Sequence, residues 1–252
     1  MFDRHYKIKY HTISITGNVR ESNEDNYCSC SMMRTAGNID EVICDYGEVD
    51  SRSNKLFAVF DGMGGEQKGE VASFIAADVA VRVNFDCKDI HSQLLSFTSE
   101  INRRVRAYAD KNDIEVMGTT FAGVVFSEKD IYVSNVGDSK VFGIRNGKII
   151  QHSVDHVLPE ELAFRNIITQ YIGMGENSKY FDPAVKRLDY SIGDRYIICT
   201  DGLTERLSTT EIGALCSVAE TVTDATDILV SQAVKMGSKD NITVTVCEIA
   251  QP

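Results

Sequence analysis

The chain has 252 residues and carries 26 Lys+Arg against 37 Asp+Glu, a formal net charge of −11. Its 43% hydrophobic and 25% charged residues are globular proportions that exclude a disordered chain, and the length suits one large domain. The acidic balance excludes a general nucleic-acid binder, whose footprint is basic, and an anionic membrane surface as partner.

Tyr6, Ile8 and Tyr10 alternate and Ile13 and Ile15 follow, so the spacing predicts a strand near the N-terminus. The acidic stretch from Met33 to Asn54, with Asn38-Ile39-Asp40-Glu41 and Asp45 to Asp50, reads as a solvated hairpin or loop without calcium-loop spacing. Leu56-Phe57-Ala58-Val59-Phe60 is an apolar run halted by Asp61-Gly62, the pattern of a buried strand ending in a turn. A helix is predicted from about Glu66 to Phe85, with Val71, Phe74, Ile75, Val79 and Val83 at helical spacing. A second runs from about Ile90 to Lys111, with Leu94, Ile101, Val105 and Tyr108 on its core stripe. Strands follow at Thr119 to Phe126, Ile131 to Val136, Lys140 to Arg145 and Lys148 to His152. Asn146-Gly147 marks a two-residue hairpin, because both residues tolerate positive φ. Arg195 to Thr200 is another buried strand stopped by Asp201-Gly202. Two short helices near Ser208–Cys216 and Asp224–Met236 precede a closing strand from Ile242 to Ile249. Antiparallel runs with helices grouped in pairs between them predict an α+β layered sandwich.

No linker, repeat or low-complexity stretch divides the chain, so residues 1–252 are read as a single domain. The seven cysteines are irregularly spaced, form no CxxC and do not cluster with the five histidines. Reduced thiols rather than disulfides or zinc ligands are expected. Met1 to His5 offers no apolar signal core, and no apolar run approaches the ~20 residues of a membrane span. A cytoplasmic protein with no nucleic-acid or membrane partner is expected, with a monomer as its assembly.

Acidic residues recur beside Gly or Asn: Glu24-Asp25, Asp61-Gly62, Asp138 in Val136-Gly137-Asp138-Ser139, Asp201-Gly202 and Asp240-Asn241. One such acid is ordinarily a turn former. Asp61, Asp138 and Asp201, however, follow apolar strands, which places them at the rim of a core. Should those rims converge, several carboxylates share one space and need a compensating cation. Oxygen donors without Cys or His favour Mg²⁺ or Mn²⁺.

Gly17-Asn18-Val19-Arg20-Glu21-Ser22-Asn23-Glu24-Asp25 resembles the opening motif of the metal-dependent protein phosphatases of type 2C. Phe57 to Gly65, with Gly69-Glu70-Val71-Ala72-Ser73, resembles the DGMGG and GEVAS words of that family's bacterial branch. Gly118-Thr119-Thr120, Val136 to Ser139, Thr200-Asp201-Gly202-Leu203 and Lys239-Asp240-Asn241-Ile242-Thr243 follow in the family's order, so the resemblance covers about residues 10–249. It implies a four-layer α-β-β-α sandwich and a serine/threonine phosphoprotein phosphatase, with phosphoserine and phosphothreonine proteins as substrates and a cognate kinase as counterpart. It implies two Mn²⁺ or Mg²⁺ ions and room for a third. Asp61 would bridge the pair, Asp201 and Asp240 would complete the first ion's protein ligands, and the Gly62 carbonyl with Glu24 would serve the second. Asp138, with Asp201, would hold the third. Asp25 would orient water and Arg20 would hold the substrate phosphate. The implied reaction is in-line attack by water or hydroxide bridging the ions, without a covalent phosphoenzyme.

The chain also departs from the family pattern. Met63 and Glu66 stand where some members carry histidine, which leaves the leaving-group acid unnamed, with His152 and His156 as weak candidates. Ser139 and Cys199 read as turn and core residues rather than nucleophiles. Asp155-His156 reaches Arg165-Asn166 within about ten residues, through Pro159-Glu160-Glu161-Leu162. A shortened flap and an open, modestly selective site are therefore expected. A catalytically silent binding module and a two-metal nuclease are the alternative readings, disfavoured by the intact acid set and the missing basic patches.

Overall fold

The computed structural model describes residues 5–35, 42–64, 68–86, 88–159, 167–175 and 180–252. In chain order its elements are β1 (Lys7–Ile15), β2 (Asn26–Ser29), β3 (Ile43–Asp50), β4 (Lys55–Phe60), β5 (Gly62–Met63), α1 (Lys68–Ala80), α2 (Ile90–Lys111), β6 (Gly118–Thr119), β7 (Phe121–Phe126), β8 (Ile131–Val136), β9 (Lys140–Arg145), β10 (Lys148–Gln151), β11 (Ala184–Leu188), β12 (Arg195–Cys199), α3 (Asp201–Thr204), α4 (Thr209–Val218), α5 (Val222–Lys235) and β13 (Ile242–Ala250).

Two large antiparallel sheets result, one ordered β10-β9-β12-β13-β1-β3 and the other β11-β8-β7-β4-β2, with a small two-stranded ladder of β5 and β6 beside them. Their facing sides meet in a core built from Ile8, Phe57, Val59, Val124, Phe126, Ile198 and Ile249. The outer face of the second sheet is covered by α1 and α2, through Phe60, Ala76, Leu94, Ile101 and Phe121. The outer face of the first is covered by α4 and α5, through Ile197, Ile212, Leu229 and Val244. The alternation of Ile197 and Ile198, or of Val244 and Cys247, between two cores is the period-2 geometry of strands buried on both faces.

Local chemistry sets the boundaries. Asn146 and Gly147 take φ of 52° and 72°, the positive values a two-residue hairpin needs, and Lys148 pairs with Arg145 across it. Capping boxes at Ser208–Glu211 and Thr221–Asp224 start α4 and α5.

Three expectations are corrected. The acidic region includes an edge strand, β3, paired with the whole inner length of β1 (Asn38 to Glu41 lie outside the described residues). An edge strand buries little, so its exposed Cys44, Tyr46 and Glu48 hide the usual signal. Helix α1 is described from Lys68, since Glu66 lies outside the described residues, and it ends at Ala80 rather than near Phe85. It buries Gly69, Ala72, Ser73, Ala76, Ala77 and Ala80, while Val71, Phe74, Ile75 and Val79 lie at its flanks. Small residues face the sheet because the helix packs almost backbone to backbone against the strand exit at Gly62. On α2, Tyr108 is exposed and the stripe is completed by Phe97 and Ala109. Among the described residues no helix is long and apolar enough to cross a membrane.

Candidate active site

Antiparallel pairing gathers the acids. Val59 of β4 pairs with Ala122 and Val136 of β8 with Phe121, so both strands end where β7 begins. Asn26 pairs with Phe60, which starts β2 at the same edge, directly after Glu24-Asp25. In the other sheet Cys199 pairs with Val244 and Lys140, which brings the end of β12 and the starts of β13 and β9 together. Asp61, Asp138, Asp201, Asp240, Glu24 and Asp25 therefore leave six strand ends at one rim.

Asp61 is fixed through its own backbone. Its N–H donates to Thr120 Oγ1 at 3.0 Å, and its carbonyl accepts from the Thr120 N–H at 2.8 Å and from Thr119 Oγ1 at 2.9 Å. Gly62 follows in a crossing with no room for a side chain: a Cβ there would lie 2.2 Å from the Gly69 carbonyl oxygen and 2.5 Å from that of Glu24. The two glycines of DGMGG and GEVAS thus meet each other, and Ser73 Oγ donates to the Glu24 carbonyl at 2.6 Å. The Asp201-Gly202 turn is built alike. A Cβ on Gly202 would come within 2.0 Å of the Asn241 carbonyl oxygen.

Asp25 joins the two sheets. It is 1% exposed, and its Oδ2 accepts from Thr200 Oγ1 at 2.8 Å and Thr243 Oγ1 at 2.7 Å. Asn241 locks the neighbouring loop, accepting the Glu24 N–H at 2.8 Å and donating to the Thr16 and Ser22 carbonyls at 2.9 Å each. These threonines and Asn241 are site residues that sequence reasoning passed over. They stand inside the matched motifs, but a hydroxyl in a strand has no distinctive pattern.

The carboxyl groups are under strain from one another. The Asp61 and Asp201 side chains are close enough for each to shift the other's titration. Burial first, then neighbouring carboxylates, raise the pKa of Asp61, of Asp201 and of Asp25 above the ordinary carboxylate range. Burial raises Asp138 and Glu24 as well. Asp138 Oδ1 and Asp201 Oδ1 are buried with no hydrogen-bond partner among the described residues. Beside them opens a cavity of about 330 Å³ walled by Lys140, Asp155, Val157 and Leu158. Arg20 stands at the rim, half exposed, with Nη2 2.6 Å from Asp240 Oδ2, and this pairing raises its pKa.

Among the described residues no three His, Cys, Asp or Glu side chains are already drawn into one ion-sized cluster. The fit to a divalent cation rests on donor chemistry. The set is all oxygen, two of its buried oxygens are orphaned, and its members repel without a positive partner. Those are the requirements of a hard ion such as Mn²⁺ or Mg²⁺.

The side candidates fall away. His156 Nδ1 accepts the Gly137 N–H at 3.1 Å, and burial keeps its imidazole below its usual pKa, so it braces the turn before Asp138 as a neutral ring. His152 lies on the far side of Gly143, away from the acids. Ser139 is buried and shares a 2.6 Å hydrogen bond with Thr120. Cys199 is buried, and desolvation pushes its thiol up to about 12, which makes it a poor nucleophile. At the flap position, the Leu158 N–H donates to Ile167 O at 2.9 Å and the Thr169 N–H to His156 O at 2.8 Å. Only residues 159–166 lie between those bonds; Glu160 to Asn166 are outside the described residues.

Comparison with known proteins agrees with this geometry. The protein phosphatase 2C family matches residues 43–236. The serine/threonine phosphatase stp of Listeria monocytogenes is 27% identical over 92% of this chain and 92% of its own. The crystal structure of the Mycobacterium tuberculosis phosphatase PstP superposes with a TM-score of 0.80 at 25% identity, covering 97% of this chain and 100% of that one. The PstP catalytic domain in complex with two manganese ions has the same fold, with a TM-score of 0.79 at 24% identity over 97% of this chain and 99% of that one. With three-quarters of its length matched by the family and both sheets in place, this chain belongs to the protein phosphatase 2C family.

Proposed function

We infer that this chain is a metal-dependent serine/threonine phosphatase, acting on phosphoserine and phosphothreonine in proteins. The observation that carries the reading is the pair of buried oxygens on Asp138 and Asp201 that have no hydrogen-bond partner among the described residues, with Asp61 as a charged neighbour, in a family member similar to named serine/threonine phosphatases. Asp61, Asp201 and Asp240 would hold one ion, and Asp61 with the Gly62 carbonyl and Glu24 a second. Asp138 and Asp201 would hold a third. Bound Mn²⁺ or Mg²⁺ supplies neutralising charge and acidified water at the phosphorus.

The chain's own residues do the rest. Asp25, anchored by two threonine hydroxyls, orients the attacking water. Arg20 offers a planar fork to the phosphate oxygens, which a molecule of net charge −11 does not otherwise attract. Attack in line forms one P–O bond and breaks the ester bond to Ser or Thr, whose oxygen leaves with a proton from solvent. Ser139 and Cys199 are both buried and committed, which favours direct hydrolysis over a phosphoenzyme. The chain length of the 155–165 segment, too short for a long flap, underlies the reading of an open site with modest selectivity. A serine/threonine kinase is the implied counterpart, a monomer the implied assembly and the cytoplasm the implied compartment.

Hydrolysis of p-nitrophenyl phosphate and of a phosphothreonine peptide tests this. Turnover is expected with Mn²⁺, absent with a chelator and restored by added Mn²⁺. Turnover that survives chelation, or a phosphorylated protein trapped during it, would overturn the reading.

A further inference from the structure

We propose that Arg34 is the positioning residue that holds Glu24 and Asp25 in register with Asp61, Asp201 and Asp240. This arginine stands in the acidic region after β2, and its side chain is 1% exposed. Asn26 seizes its backbone from both sides, accepting the Arg34 N–H at 3.0 Å and donating to the Arg34 carbonyl at 3.2 Å. The guanidinium then reaches back across the loop that carries the acids. Nε donates to the Asp25 carbonyl at 2.9 Å and Nη2 to the Asn23 carbonyl at 2.5 Å. Nη1 lies 3.6 Å from Glu70 Oε1 on α1.

Burying a cation this deeply is costly unless it is paired and hydrogen-bonded. Here the cost coincides with a specific geometric need. Residues 23–25 run outside any sheet ladder, so side chains must satisfy their backbone groups. The Glu24 carbonyl goes to Ser73, and the carbonyls on either side of it go to one guanidinium. The Glu24 and Asp25 N–H groups go to Asn241 and Asn23. Glu24 and Asp25 therefore project from a backbone held at successive carbonyls, with both Arg34 and Ser73 tied to α1. A guanidinium can span the two outer carbonyls at once, whereas a lysine ammonium is a single point.

The proposal rests on the phosphatase reading, and its test separates the two. Mn²⁺ binding by calorimetry, kcat, KM and Tm are measured for the wild-type chain, Arg34→Met, Arg34→Lys and Arg195→Met. Arg195 is the control: its guanidinium also donates to several carbonyls, those of Cys216, Ala219 and Glu220, but at the end of α4. Arg34→Met is expected to weaken Mn²⁺ binding and lower kcat by about 10–100-fold, with KM within about twofold, as for partners that orient metal ligands. Arg34→Lys should fall in between, with at least about a threefold loss of Mn²⁺ affinity. Arg195→Met should lower Tm and leave Mn²⁺ affinity unchanged. Arg34→Met that loses Tm alone, or an equal Mn²⁺ loss in Arg195→Met, overturns the proposal. Where Arg34→Met does not fold, wild-type Mn²⁺ affinity in Arg34→Lys does so. A wild-type chain that binds no Mn²⁺ instead overturns the phosphatase reading itself.

Discussion

At the rim where β4, β8 and β12 end, Asp138 and Asp201 each bury an oxygen that no donor among the described residues reaches. At the opposite end, where β9 finishes and β12 begins, Asp194 is just as enclosed but fully matched. Arg145 donates to its two oxygens through Nε at 3.0 Å and Nη2 at 2.7 Å, and the Ser191 N–H adds 2.7 Å. A cavity of about 390 Å³ opens there too, lined by Arg145, His152, Asp189, Asp194 and Tyr196, and both of its aspartates pair with Arg145. Both ends carry aspartates in turns beside strands. What separates a ligand from a turn former is whether the fold supplies the counter-charge. At one end it supplies an arginine to the buried carboxyl; at the other Arg20 reaches Asp240, while the buried oxygens of Asp138 and Asp201 are left to something diffusible.

The largest effect that would break this comparison comes from removing a rim charge. Asp61→Asn and Asp201→Asn are each expected to lower Mn²⁺-dependent kcat/KM by about a thousandfold, roughly 4 kcal/mol of transition-state stabilisation. Neither should lower Tm when measured in chelator, because each removes a carboxyl whose charged form burial and its neighbours oppose. Near-normal turnover, or a Tm loss of the size expected from core damage, would make these acids structural like Asp194.

Much of the rim was legible in the residues, and the reasons differ by element. Strands buried on both faces, such as Leu56–Phe60 and Ile197–Cys199, show as apolar runs stopped by Asp-Gly, and Asn146-Gly147 announces its own hairpin. Edge strand β3 did not show, since Cys44, Tyr46 and Glu48 are exposed, none of its residues is fully buried, and several are acidic. The buried face of α1 was misread because periodicity favours bulky residues. The close approach of Gly62 to Gly69 demands small ones. Asp25, Asp61, Asp201 and Asp240 stand out in the sequence through their motifs. Their convergence, by contrast, depends on pairings as distant as Thr200 to Thr243, which no local pattern contains. Arg34 gave no signal at all: a single arginine in an acidic stretch looks like surface until the loop folds over it.

A second, smaller test works from the matched end. Asp194→Asn takes away the charge that receives the Arg145 fork. A buried pair broken on one side can lose 3–5 kcal/mol. Arg145 is 39% exposed, however, so water re-solvates it and about 2 kcal/mol is the expected loss, read from urea unfolding. Turnover per folded molecule should be unchanged. A large fall in kcat with intact stability would mean that the two ends are coupled and the contrast between them is false.

The smallest effect sharpens the comparison by pH. The imidazole of His152, facing Arg145, Lys186 and the Tyr196 ring, is held down to about 4 by burial first and then by the two cations. In the unfolded chain it titrates near its ordinary value of about 6.5. Between those values the unfolded chain takes up a proton that the folded chain refuses. The stability this neutral ring contributes is therefore whole above about pH 6.5 and disappears on descending to about pH 4. The full shift corresponds to about 3 kcal/mol; because the ring is only half-buried, solvent screening reduces the expected effect to about 1 kcal/mol. His11 and His156 are lowered as well, so the informative quantity is a difference between variants. Urea midpoints for the wild-type chain and His152→Gln at pH 7 and pH 4.5 isolate it, and the variant should lose about 1 kcal/mol less on acidification. Equal losses would show that the matched end is insensitive to protons, and that acid lability of this sandwich arises elsewhere.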